Sequence, residues 1–252
     1  MGKQIIQYLI ILTVLILQAS CSKDNSNSRN DNSSSGGNTG VGGSLARFTI
    51  TNDHLYTISE TNISIFDVSN ANDPLKKNTV PLGFGIETIF PKDDYLFIGT
   101  QTGMKILDVK NPTTPFLLSD FEHIRSCDPV VANDKYAYVT LRNGNSCTRG
   151  LNELQIVDIS NIKQPFLFKA YQMSKPYGLA LDGDKLFICD QGIKYFDATN
   201  PGNLILKKTF SIDAEDLIAN QGILMAIGSD GLSQYDYSSG DLVFLSLIPT
   251  TL

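Results

Sequence analysis

No tryptophan occurs in the 252 residues, and only two histidines, His54 and His123. Without tryptophan, an aromatic platform for a sugar would have to come from tyrosine or phenylalanine. Two histidines far apart in sequence show no zinc-type spacing. Basic residues are outnumbered, 20 Lys and Arg against 26 Asp and Glu, for a formal net charge of −6. That balance excludes nucleic acid as a partner, because phosphate binding needs a basic face. No nucleophile elbow, phosphate loop, HExxH or paired CxxC pattern occurs, so no catalytic residue, metal ligand or cofactor is assigned. Beyond residue 21 no stretch keeps a 3.6-residue apolar period, which excludes a helical fold. What remains is ordinary globular composition, 42% hydrophobic and 18% charged, enough for a real core.

The one long apolar run, Ile5 to Leu17, follows Lys3 and ends at Gln18-Ala19-Ser20-Cys21. A basic start, an apolar stretch and small residues before a cysteine read as an export signal. The pattern resembles a bacterial lipoprotein signal, although Gln18 stands where that signal prefers Leu. The resemblance implies removal of residues 1–20 and lipidation of Cys21, which would attach the protein to a membrane. A plainly secreted protein and an uncleaved anchor are the alternatives. The run is short for a bilayer span of about 20 residues. Residues 21–44 are rich in Ser, Asn, Asp and Gly and read as a flexible tether. The residues after Cys21 point to the outer membrane, with exposure on the cell surface as the further option.

Residues 45–252 repeat. Five segments end on Asp and then turn: Asp67, Asp108, Asp158, Asp197 and Asp236, about 41, 50, 39 and 39 residues apart. About ten residues before each lies a second apolar segment, Leu55-Tyr56-Thr57-Ile58 in the first copy and Leu96-Phe97-Ile98-Gly99 in the next. Shorter apolar runs lie upstream and downstream of these, and turn residues such as Asn52-Asp53 and Asp182-Gly183-Asp184 separate them. Each copy is therefore strand A, B, C and D. Four-stranded units of this period predict an all-β fold, a five-bladed β-propeller of antiparallel blades. Either each blade is complete in itself, or the first strand completes the last blade. The repeated Asp is expected to cap its own turn by accepting backbone N–H groups, not to form a site.

Ile156-Val157-Asp158-Ile159-Ser160-Asn161 and Ile106-Leu107-Asp108-Val109 resemble the signature of the LVIVD-repeat family of cell-surface proteins. Tyr195-Phe196-Asp197-Ala198 and Gln234-Tyr235-Asp236-Tyr237 are more divergent copies. The resemblance covers the whole of residues 45–252 and implies a propeller. It carries no common catalytic residues.

The third copy is longer by about ten residues, Arg142 to Gly150, between strands B and C. Strand order puts this loop on the same face as the D–A junction that holds Cys127. A Cys127–Cys147 disulfide is therefore expected, leaving Cys189 as a free thiol; Cys147–Cys189 is the competing pair. Aligning the repeats places Glu87, Asp128, Tyr177 and Glu215 at equivalent positions near the start of strand A, with Arg47, Thr88 and Asp216 adjacent. An acidic channel mouth follows, with Arg142 and Arg149 to one side, as the candidate ligand site. The function expected is a surface-anchored, non-enzymatic module that binds an envelope protein or an extracellular glycan or other polymer. The alternatives are a hydrolase or lyase using that mouth, and a structural envelope protein. Mass mapping of non-reduced peptides is expected to recover a Cys127–Cys147 linked pair; recovery of three free thiols overturns it.

Overall fold

A computed structural model of the chain describes residues 42–122, 129–143 and 151–250. Cys21, the signal and most of the tether lie outside these residues, as do Cys127 and Cys147. Among the described residues twenty strands form five separate four-stranded antiparallel sheets, an all-β fold. Blade 1 comprises β1 (Phe48–Thr51), β2 (His54–Ile58), β3 (Asn62–Asp67) and β4 (Leu75–Pro81). Blade 2 comprises β5 (Ile86–Lys92), β6 (Tyr95–Thr100), β7 (Gly103–Asp108) and β8 (Phe116–Glu122). Blade 3 comprises β9 (Val130–Ala132), β10 (Tyr136–Leu141), β11 (Glu153–Asp158) and β12 (Phe166–Gln172). Blade 4 comprises β13 (Pro176–Asp182), β14 (Lys185–Asp190), β15 (Ile193–Asp197) and β16 (Ile205–Phe210). Blade 5 comprises β17 (Asp216–Asn220), β18 (Ile223–Gly228), β19 (Gly231–Asp236) and β20 (Val243–Pro249). Every blade is built from four consecutive strands, which settles the question of closure: no strand is exchanged between the first blade and the last.

The repeated Asp works as the sequence implies. Its carboxylate accepts the N–H two residues on in all five blades, from Ser69, Lys110, Ser160, Thr199 and Ser238 at 2.7–3.1 Å. The N–H of the intervening residue reaches back to the A–B loop: Val68 to Asp53, Val109 to Asp94, Ile159 to Lys135, Ala198 to Asp184 and Tyr237 to Gly222. Turn and loop are thereby tied together at one end of each blade. A bulge recurs in every C–D pairing, one or two residues before the Asp, and adds twist to the outer strand.

Alternate residues of each inner strand face opposite neighbours. The residues on these faces form four apolar cores, between blades 1 and 2, 2 and 3, 3 and 4, and 4 and 5. Between blades 5 and 1 the faces are not packed together in this way. The strand A residue that faces the preceding blade is 0–1% exposed in Ile89, Val130, Leu179 and Leu217, but its counterpart Phe48 is 61% exposed. Ile50 on the same face is exposed as well, and on blade 5 Ile227 is exposed and Met225 half-buried. Among the described residues the ring therefore has an open seam.

At the hub the ring is joined by hydrogen bonds. The Ser44 hydroxyl donates to Asp216 Oδ1 (2.8 Å) in blade 5 and accepts the Leu179 N–H (2.8 Å) from blade 4. The Leu45 N–H donates to Asp216 Oδ2 at 3.2 Å, and the Ala46 carbonyl accepts the Ile89 N–H of blade 2 at 2.9 Å. Two glycines make room. A Cβ on Gly43 would stand 2.1 Å from Asp216 Oδ2, and one on Gly178 would stand 2.3 Å from Oδ1. Burial raises the Asp216 carboxyl above its ordinary range, against the pull of the Ser44 hydroxyl and nearby N–H groups.

Two expectations follow. Ser44→Ala removes one donor and one acceptor from a buried cluster, at a cost of about 1–3 kcal/mol. Thermal unfolding should show a midpoint lower by roughly 2–10 °C; an unchanged midpoint rejects the latch. The second concerns acid. The Ser69 and Thr199 hydroxyls, followed by their N–H groups, hold Asp67 and Asp197 at about 2, below the ordinary 3.8. A carboxyl lowered by folding stabilises the fold above its ordinary value, and that contribution disappears as pH falls through the lowered one. Urea midpoints should therefore drop as pH goes from 3.8 towards 2, and less steeply in Asp67→Asn with Asp197→Asn.

Candidate functional site

All five blades contribute to one cavity of about 380 Å³ at the channel mouth. The segment leading into blade 1 supplies Leu45 and Arg47, blade 2 Glu87 and Thr88, and blade 3 with its entry Pro129 and Arg142. Blade 4 supplies Pro176 and Tyr177, and the start of blade 5 supplies Glu215. The backbone explains why these positions converge. The A–B pairing jumps from Ile86 to Thr88 in blade 2 and from Pro176 to Leu179 in blade 4. Glu87 and Tyr177 thus sit on bulges, which re-aim side chains away from the ladder.

Glu87, Tyr177 and Glu215, selected from the repeats, and Arg142, from the insertion, are brought together here. Asp216 is not on the surface of the cavity; it lies behind Glu215, buried in the hub latch. Asp128 and Arg149 lie outside the described residues. Among the described residues the lining carries two carboxylates and two guanidinium groups, so this part of the mouth is balanced in charge and not acidic.

Tyr177 is the organising side chain. The Arg142 guanidinium lies over its ring, 3.7 Å from the centroid, and the Lys175 ammonium lies 5.7 Å from it. Such contacts are worth about 0.5–1 kcal/mol at exposed sites and more when desolvated. The Tyr177 carbonyl accepts the Thr140 hydroxyl at 2.6 Å, and the Gly178 N–H donates to the Glu215 carbonyl at 2.9 Å. Both bonds cross from blade 4 to a neighbouring blade, so the platform is fixed from both sides.

A smaller cavity of about 210 Å³ shares Tyr177 and Glu215 and adds Lys175, Gln191 and Asp213. Cys189, which also lines it, is a free, buried thiol, and burial raises its pKa. A thiol held protonated is a poor nucleophile. Asp190, beside it at the end of β14, is fully buried. Burial opposes its ionisation, but the Lys194 ammonium (2.6 Å) and the N–H groups of Lys175 and Ser174 hold its pKa below the ordinary range. Asp190 thus clamps the D–A junction to its own blade's B–C turn. Among the described residues no group of three His, Cys, Asp or Glu is placed to hold a metal ion.

Phe84 was not anticipated from the repeats. It stands in the D–A junction between blades 1 and 2, three residues before Glu87, and is 89% exposed. Gly83 and Gly85 on either side have φ of 95° and 80°. The Gly-Phe-Gly sequence was the available signal, an apolar side chain between two residues that favour a turn.

The sequence profile of the LVIVD repeat matches residues 89–122 and 125–173. The sequence matches no curated protein. Several solved structures are similar in fold. A protein from Lactobacillus plantarum has a TM-score of 0.62 at 14% identity, over 78% of this chain and 69% of that one. A functionally unknown protein from Desulfotomaculum acetoxidans has a TM-score of 0.59 at 13% identity, over 77% and 68%. Apo AztD from Citrobacter koseri has a TM-score of 0.55 at 13% identity, over 78% and 60%. Identities this low establish the shared fold alone.

Proposed function

We propose, from the premise of a five-bladed propeller that carries LVIVD repeats, that the protein is a non-enzymatic binding module anchored at the cell surface. Its partner is another envelope protein, and an extracellular polymer is the second choice. The observation that carries this reading is the composition of the mouth, Tyr177 under Arg142 with mixed charges around it, together with the exposed Phe84 three residues before Glu87. Aromatic residues and arginine dominate the energetics of protein–protein contacts. The same geometry counts against a sugar platform, because the guanidinium already covers a face of the Tyr177 ring. Lipid on Cys21 would hold the domain at the outer membrane, where such a partner would be met.

The alternative, a hydrolase or lyase, rests on Glu87 and Glu215 lining the same cavity. Both carboxylates share that lining with Arg47 and Arg142. The test is quantitative binding of envelope proteins and of a glycan array to the full-length protein and two variants. Tyr177→Ala and Phe84→Ala are each expected to weaken capture of a protein partner about tenfold or more, the scale of a hot-spot loss. Capture unchanged in both variants refutes the mouth as the site. Turnover of a substrate that Glu215→Gln abolishes would favour the enzyme.

A further inference from the structure

Two opposite charges at the mouth are left without partners. Arg47 and Glu215 both line the cavity of about 380 Å³, and both are exposed. Among the described residues neither the Arg47 guanidinium nor the Glu215 carboxylate makes an ion pair or a side-chain hydrogen bond, with each other or with any neighbour. On the outer strands, by contrast, neighbouring opposite charges do meet, as in Lys77–Asp67 at 3.2 Å and Lys208–Asp241 at 2.6 Å. The backbones that carry the two mouth charges are fixed. The Arg47 carbonyl accepts the Ile58 N–H at 3.0 Å. The Glu215 N–H donates to the Ile227 carbonyl at 2.7 Å, and the Glu215 carbonyl accepts the Gly178 N–H at 2.9 Å. The hub latch also ties the two segments together, since the Leu45 N–H meets the carboxylate of Asp216, the residue after Glu215. Both charges are thus held at one mouth without pairing.

We propose that the mouth binds a free short peptide in its zwitterionic form, with the peptide carboxylate on Arg47 and its ammonium on Glu215. Charge selects this class of ligand. A simple anion would satisfy Arg47 but face Glu215, and a simple cation would do the reverse. A neutral sugar would leave both charges uncompensated. A ligand that carries both signs matches both groups, and the contacts it makes are charge-assisted, bidentate at the guanidinium. The other charged residues of the lining do not upset the match. Glu87 and Arg142 balance each other in sign, and the Arg142 guanidinium already lies over the Tyr177 ring, which leaves Arg47 for the carboxylate. Leu45, Pro129 and Pro176 give the same cavity an apolar wall for a peptide side chain. Its volume is at the lower end of the roughly 300–1,000 Å³ of small-molecule sites, a size that suits two or three residues. Fixed backbones on both sides reduce the ordering that binding would otherwise cost. The inference needs the cavity alone. It holds or fails independently of whether Tyr177→Ala and Phe84→Ala weaken capture of a protein partner.

Calorimetric titration of the full chain, in detergent, with the dipeptide alanyl-leucine tests this. Two blocked forms serve as controls: N-acetyl-alanyl-leucine lacks the ammonium and alanyl-leucine amide lacks the carboxylate. Each is expected to bind about tenfold or more weakly than the zwitterion, the scale of one lost charge-assisted contact. Variants assign the two ends. Arg47→Gln should weaken alanyl-leucine by a similar factor without further weakening the amide. Glu215→Gln should weaken alanyl-leucine without further weakening the acetylated form. The far-ultraviolet circular dichroism of both variants should stay that of the parent, because both side chains are exposed. Absence of alanyl-leucine binding at about 10 mM, a concentration that populates even millimolar affinity, overturns the proposal. Equal binding of the three ligands does so too, as does a pair of variants that leave alanyl-leucine unaffected or weaken charged and blocked ligands alike.

Discussion

Everything at the centre of this molecule depends on one buried carboxylate. Asp216 begins the inner strand of blade 5, and the chain entering blade 1 wraps it with the Ser44 hydroxyl and the Leu45 N–H. A carboxylate removed from water is costly unless hydrogen bonds replace the solvent. Here the replacement comes from a segment remote in sequence, so satisfying Asp216 and joining the last blade to the first are a single event. Gly43 and Gly178 are fixed by the same constraint, since neither position has room for a Cβ beside the carboxylate. The mouth is built on this floor. Leu45 and Arg47 follow the latch directly, and Glu215 precedes Asp216 by one residue. The residues that could touch a ligand are thus held by the residues that join the hub.

Hub and rim are governed by different physics. Between blades 1 and 5, hydrogen bonds hold the axis while Phe48, Ile50 and Ile227 remain in water. Four inter-blade cores join successive blades, and among the described residues the faces of blades 5 and 1 share no such core. Apolar packing is non-directional and tolerates a range of angles, whereas the short bonds to Asp216 do not. At the seam, blades 5 and 1 are joined by these bonds at the axis while the apolar side chains further out stay exposed.

The architecture was legible in the sequence because it is local. Asp67 and its four counterparts cap turns with the N–H two residues away, and the alternation in Leu96-Phe97-Ile98 reports which side chains face which neighbour. The convergence of Glu87, Tyr177 and Glu215 followed from aligning the copies, since equivalent positions in a ring share one end of the axis, and that of Arg142 from the placement of the B–C insertion on the same face. The rest depends on geometry that no single repeat encodes. Phe48 occupies the same pattern position as Ile89, and nothing in either strand tells that one is buried and the other not. Asp216 and Glu215 are adjacent acids in sequence, yet one is sealed in the hub and the other faces the mouth. Alternation separates them, but only the Ser44 contact, made across more than 170 residues of chain, shows what the inner one does.

The position of Ser44 also defines a load path. Ser44 to Ala46 lie at the axis and hold blades 4, 5 and 2 together. A pull applied to that segment is delivered first to a handful of short hydrogen bonds, not to a sheet edge that could peel one strand at a time. Bonds loaded together resist more than bonds loaded in sequence. The domain would thus hold its shape under modest tension and then give way at the hub in one step, with the mouth losing its floor in the same moment.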